Sequence, residues 1–198
     1  MGLGIDAFTI RDIRDKHPLI DGVSVGVGDA FVAEAYFNGY TAATPHDLRS
    51  ATKSITSLLV GIAVDRGLLR LEQPITTFFP DQTPHASWHE AITVQHLLTM
   101  SSGLDCDDNA NTAGNEERMY VSSDWIKFFF AIPRTRPPGQ VHAYCTAGVV
   151  LLGEIVSRVA RQPLPEFART HLFQPLEILE AHWEMRRAAS PTRAVTCD

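Results

Sequence analysis

Alternation comes first along the chain. Val23, Val25 and Val27 alternate with Ser24 and Gly26, the two-residue period of a half-buried strand. Gly28-Asp29 supplies a turn. Phe31-Val32-Ala33-Glu34-Ala35-Tyr36-Phe37 then reads as a second strand, closed by Asn38-Gly39, and the two predict a hairpin. From residue 48 the period lengthens. Ile55, Leu58, Leu59, Ile62 and Ala63 recur at helical spacing, which predicts a helix over 48–69 with Gly67 near its end. Further helices are predicted over 93–100, 123–130 and 146–161, with a fifth over 165–172. The fourth carries an apolar stripe of Val149, Leu152, Ile155, Val156 and Val159, interrupted by Gly153. Residues 105–117 form a polar loop. Two strands followed by a run of helices predict an α+β fold, with helices against one side of an antiparallel sheet.

Composition narrows the partners. The 198 residues, 44% hydrophobic and 20% charged, suffice for one domain with a core. A net charge of −6 and the lack of a basic stripe argue against nucleic acid. The most apolar run, 55–64, is too short to span a membrane, and no signal peptide is read at the N-terminus. Cys106, Cys145 and Cys197 are odd in number and widely spaced, so three free thiols and a cytoplasmic location are expected.

The chemistry-bearing pattern is Ser50-Ala51-Thr52-Lys53 at the start of the first long helix. Ser50 is placed to be a nucleophile, because its own N–H and the positive end of the helix dipole would face a reacting carbonyl. Lys53 falls on the same helix face three residues later, where dipole and burial would favour a neutral amine able to take the serine proton. By itself the pattern also fits a polar cap and a solvated lysine.

Two further segments make it specific. Residues 44–58 resemble the nucleophile segment of the serine β-lactamase, penicillin-binding protein and esterase superfamily. Residues 92–104 resemble its helix ending in a Ser-Gly-Leu turn. Residues 138–148, Pro-Gly-Gln-Val-His-Ala-Tyr-Cys-Thr-Ala-Gly, resemble its Pro-Gly…Tyr segment. The resemblance runs over roughly 23–175. It implies a β-lactamase/transpeptidase-like fold, a β-lactamase-related serine hydrolase domain over 20–180 and an irregular tail over 181–198. It also implies an acyl-enzyme on Ser50, Lys53 as general base and Tyr144 as proton relay, with no cofactor. Thr146 stands where the penicillin-recognising members usually carry Asn, which favours the esterase or linear-amide-hydrolase branch. Thr146 and His142 are the expected substrate-binding residues, and a small-molecule ester or amide is the expected substrate.

One departure cuts the other way. No Lys or His, Ser or Thr, Gly strand follows Tyr144, so the C-terminal strands of the sheet are expected to be missing and only the N-terminal hairpin present. The chain reads as C-terminally truncated, with an open sheet edge that would drive self-association. The alternative function is a catalytically impaired member acting only by binding or association.

Three rival patterns are weaker. Gly22-Val23-Ser24-Val25-Gly26 matches a nucleophile elbow, but Ser24 sits in a strand followed by another strand. Asp105, Asp107, Asn109, Asn111 and Glu116 follow calcium-loop spacing, but Ala110 stands in place of the turn glycine, and solvated carboxylates are expected. His85 and His89 have zinc-helix spacing without a third ligand and are expected at the surface.

Overall fold

The computed structural model describes residues 7–82 and 86–183. The chain divides into two compact units, residues 1–47 and 48–198.

In the first unit, helix α1 (Ala7–Lys16) precedes strands β1 (Gly22–Val27) and β2 (Ala30–Tyr36). The strands pair antiparallel as a two-stranded sheet, with Val23 opposite Ala35 and Val25 opposite Ala33, and an irregularity between Val25 and Gly26. The expected hairpin is present, and Ser24 is a strand residue as its alternation implies. The open end of the hairpin is held by one side chain. The Asn38 amide donates to the carbonyls of Pro18 and Ile20 and to Asp21 Oδ1. Val27, Phe31 and Val32 are exposed on the strands.

The second unit is helical. It contains α2 (Thr52–Asp65), α3 (Val94–Leu98), α4 (Glu116–Tyr120), α5 (Trp125–Ala131), α6 (Thr146–Ala160) and α7 (Leu164–Ala168). Their starts follow local chemistry. Thr93 caps α3 in a capping box with His96, and Asp124 caps α5 by accepting from the Lys127 N–H at 2.9 Å. α6 is the central helix: Leu151, Leu152, Ile155 and Val156 are fully or nearly fully buried, against Leu59, Val60 and Ala63 of α2 and Phe129 of α5. Gly153, a weak point in the helical pattern, has a packing reason. A Cβ there would lie 2.9 Å from Leu164 Cδ2, so the glycine lets α7 approach. The predicted polar loop over 105–117 instead ends in α4, a helix with too few apolar positions to show a period.

A charged cluster ties α6 to the chain before α3. The Arg158 guanidinium pairs with Glu154 at 2.9 Å and with Asp81, donates to the Phe78 carbonyl and lies 4.3 Å from the Phe79 ring centre. The bond from Arg158 holds the Asp81 carboxyl at about 2, below its ordinary 3.8. Burial pushes Glu154 upward, against the opposing pull of Arg158. Replacing Arg158 with Met leaves the Glu154 carboxylate, only 6% exposed, without its cation. We expect a loss of about 2–3 kcal/mol near neutrality, toward the low end for a broken buried pair because Arg158 is partly exposed. The sign with pH follows from the two carboxylates. The stability Asp81 contributes is present above its ordinary value and is lost as pH falls toward its depressed one, discounted for its exposure. Protonation also relieves an unpaired Glu154. Urea unfolding should therefore show the gap between variant and parent closing as pH falls toward about 2, and a constant gap would refute this account.

Candidate active site

Ser50 lies in a short 3-10 turn, Arg49–Ala51, that runs directly into α2. Arg49, just before it, has φ 47°, a left-handed conformation that costs a non-glycine residue roughly 1 kcal/mol or more. The turn leaves Ser50 exposed and Lys53 half-buried, so the site is more open than the burial expected of Lys53. Lys53 Nζ lies 3.1 Å from Ser50 Oγ. It also sits 4.9 Å from the centre of the Tyr144 ring. The structure thus brings Ser50, Lys53 and Tyr144 together. Tyr144 meets Lys53 through its ring face, and among the described residues its hydroxyl makes no hydrogen bond to either partner.

Tyr144 is held by backbone bonds to two loops. Ala143 N–H donates to the Met100 carbonyl at 2.9 Å, and Gly139 N–H to the Ser101 carbonyl at 2.7 Å. The Ser101-Ser102-Gly103-Leu104 turn needs its glycine. Gly103 has φ +77°, and a Cβ there would meet the Arg136 carbonyl oxygen at 2.4 Å. On the other side Asp108 N–H donates to the Tyr144 carbonyl at 2.7 Å.

The same place carries a correction. Cys106 and Cys145 form a disulfide, with Cα atoms 5.4 Å apart, where free thiols were expected. The fold brings the Asp105 loop against the start of α6, and 39 residues of sequence separation conceal that meeting. Cys197 lies outside the described residues.

The acidic loop is the second correction. Its carboxylates Asp105, Asp107, Asp108 and Glu116 are half-buried rather than freely solvated, and the three aspartates organise backbone. Asp105 accepts from Ala113 N–H and Asp107 from Asn109 N–H. Asp108 accepts from Glu116 N–H at 2.9 Å and, through its other oxygen, from Thr146 N–H at 2.8 Å. Burial pushes the Asp108 carboxyl up despite those bonds, and the neighbouring Glu116 charge adds to the rise. Thr146 Oγ1 in turn donates to Glu116 Oε2 at 3.0 Å, and the Tyr120 hydroxyl donates to the same oxygen at 3.1 Å. No group of three or more potential metal ligands occurs among the described residues. His89 is buried rather than at the surface, with its ring 3.7 Å from Trp88 and 5.1 Å from Phe130. His85 lies outside the described residues.

A cleft of about 230 Å³ opens beside Ser50. One bank carries Arg49, Ser50, Lys53 and Thr52; the other carries Glu116, Thr146, Val149 and Val150, and Leu164 and Trp183 line it too. Thr146 is therefore on the wall, though its hydroxyl proton is committed to Glu116. His142 is exposed and does not line the cleft. Asp108 and Glu116 escaped the sequence reading as site residues, because their acidic loop matched a different pattern.

A helical unit with Ser-x-x-Lys at the head of a central helix, and a tyrosine packed on that lysine from the start of another, has the plan of the β-lactamase and penicillin-binding protein group. The sequence model of the Beta-lactamase family matches residues 16–197, and the chain belongs to that family. It is 28% identical over 141 residues to a beta-lactamase of Escherichia coli K12, covering 70% of this chain and 34% of the relative. It is 30% identical over 141 residues to Esterase EstB of Burkholderia gladioli, covering 65% of this chain and 36% of the relative. The fold matches the crystal structure of a penicillin binding protein from Bacillus halodurans with a TM-score of 0.70 at 21% identity, covering 89% of this chain and 57% of that one. The chain thus spans about a third of the length of the two curated relatives. Among the described residues the sheet is the two-stranded hairpin alone.

Proposed function

We propose that this chain is a serine hydrolase that cleaves an ester or amide through an acyl-enzyme on Ser50. The observation that carries this reading is the 3.1 Å approach of Lys53 Nζ to Ser50 Oγ. With the amine neutral, the Ser50 hydroxyl donates across that contact and Lys53 takes its proton as the oxygen attacks the substrate carbonyl carbon. The C–O bond to Ser50 forms, and the carbonyl electrons move onto oxygen. The Ser50 N–H, at the head of α2, is one donor to that oxyanion. As the intermediate collapses, the proton passes from Lys53 through Tyr144 to the leaving alcohol or amine. Water then hydrolyses the acyl group by the same steps in reverse order. Family membership supports the reaction class, and the esterase and beta-lactamase relatives make both ester and amide substrates reasonable to test.

A fluorophosphonate probe tests the reading directly. The expected result is a covalent adduct on the parent chain that is lost in Ser50→Ala. A parent chain that stays unlabelled while folded overturns it. That outcome would favour the second reading, a family member that acts only by binding, for which the exposure of Ser50 is the supporting observation.

A further inference from the structure

One carboxylate serves the starts of two helices, and the reaction proposed above does not use it. The N–H of Thr146, the first residue of α6, is not capped by its own neighbour. Cys145 holds the cap position, but its sulfur is committed to the disulfide and makes no cap bond. Asp108 supplies the acceptor from the loop, with Oδ2 2.8 Å from the Thr146 nitrogen. Its other oxygen accepts from the Glu116 N–H at the head of α4, 2.9 Å away. The Asp108 N–H donates to the Tyr144 carbonyl at 2.7 Å. Asp108 therefore grips the chain on both sides of Cys145 and ties that grip to α4. The disulfide tethers the same place, but a tether through a side chain leaves the two peptide planes beside Cys145 able to turn. The Asp108 bonds fix those planes, and with them the direction in which Tyr144 leaves the backbone. That direction matters, because the Tyr144 ring faces Lys53, with its centre 4.9 Å from Nζ.

We propose that Asp108 is a positioning residue, which holds Tyr144 against Lys53 in the place from which a proton reaches the leaving group. The proposal rests on the serine-hydrolase reading for the part Tyr144 plays in the reaction. Burial pushes the Asp108 carboxyl up, and the bonds it accepts from Thr146 and Glu116 oppose that rise. The positive end of the α6 dipole acts in the same sense as those bonds, toward the charged form that can accept on both oxygens. The placement has a chemical consequence. The alkoxide leaving an alkyl ester needs a proton as its C–O bond breaks, whereas p-nitrophenolate departs without one. A displaced Tyr144 therefore slows the first reaction far more than the second. A shift of about 1 Å in such a group is enough to cost about 10²-fold.

The test begins with NMR of the full chain carrying carbon-13 at the lysine Cε. Lysine occurs only at Lys16, Lys53 and Lys127, and Lys53→Arg assigns the signal of interest. A ring face shields the nuclei above it. The Lys53 Cε protons should therefore lie upfield of the other two lysines in the parent chain, and Tyr144→Leu should remove that displacement. Asp108→Ala should remove at least about half of it, and Asp108→Asn, which keeps one acceptor oxygen, should fall between Asp108→Ala and the parent. Asp107→Ala cuts side-chain bonds to Asn109 that do not reach Tyr144, and should leave the signal in place. A Lys53 signal that stays at its parent position in folded Asp108→Ala overturns the proposal, as does an equal move in Asp107→Ala. Where Asp108→Ala does not fold, Asp108→Asn decides. Kinetics supply the second readout. With p-nitrophenyl and ethyl butyrate, the ratio of the two kcat/KM values should rise about tenfold or more in Asp108→Ala. A carboxylate that only stabilises the fold lowers both values by one factor, so an unchanged ratio overturns the proposal too. The two readings fail separately: absence of a Ser50-dependent fluorophosphonate adduct overturns the acyl-enzyme, while the Lys53 signal still decides whether Asp108 holds Tyr144.

Discussion

Lys53→Met is expected to slow fluorophosphonate labelling of Ser50 by about 10²–10⁴-fold, the usual contribution of a positioned general base. Methionine keeps an unbranched stem of similar length, so the packing beside Tyr144 changes little while the nitrogen 3.1 Å from Ser50 Oγ is removed. The comparison therefore reads proton transfer rather than shape. The size of the drop separates a base from a bystander. Ser50→Ala should abolish the adduct in both backgrounds. A Lys53→Met chain that labels as fast as its parent would remove Lys53 from the mechanism and leave Ser50 as an ordinary exposed hydroxyl.

Tyr144 offers a contrast within the same site. Its ring face, not its hydroxyl, meets Lys53. The relay step in the proposed mechanism therefore asks for a small rotation of the segment before α6. That segment is fastened by backbone bonds to Met100, Ser101 and Asp108 and by the Cys106–Cys145 disulfide, so the rotation is confined to the residues around Tyr144.

What the sequence made legible, and what it hid, divides along range. The hairpin could be read because its alternation is local and its turn residues are adjacent. α2 and α6 could be read because each buries a long stripe against the other. The Ser50–Lys53 pair could be read because both lie on one helical turn. Placement of Tyr144 near them came from resemblance, since 91 residues of chain separate it from Lys53 and no local pattern reports that meeting. The features that escaped are all products of tertiary contact. Glu116 and Asp108 sit in a loop whose spacing mimics calcium ligands, and only the approach of Thr146 from α6 turns them into acceptors for its N–H and hydroxyl. His89 escaped for the same reason: a polar residue in a polar stretch reads as exposed until Trp88 and Phe130 close over it. His142 is close to Tyr144 along the chain, yet it is exposed and does not line the cleft.

The disulfide is the consequential miss, and its removal should have the largest effect on stability. Replacing both Cys106 and Cys145 with alanine opens a covalent loop of 39 residues. In the chain-entropy account, closing a loop of that length removes about 4 kcal/mol worth of freedom from the unfolded chain. For a chain of this size that is a drop of roughly 10 °C in Tm. Cys106 and Cys145 are 2% and 4% exposed, so the small void left by two alanines adds to the loss. The effect is also local. The pair joins the loop that carries Asp108 to the residue between Tyr144 and Thr146, where Asp108 binds the Tyr144 carbonyl and the Thr146 N–H. Labelling of Ser50 in the double variant should therefore fall at temperatures where the rest of the chain is still folded. A thiol count checks the premise first. With two of the three cysteines bonded to each other, the unfolded, unreduced chain should titrate one thiol, and three after reduction. Three thiols before reduction would refute the pairing. One thiol would remove the main reason for assigning the chain to a reducing compartment, because a bond of this kind persists where the surroundings are oxidising.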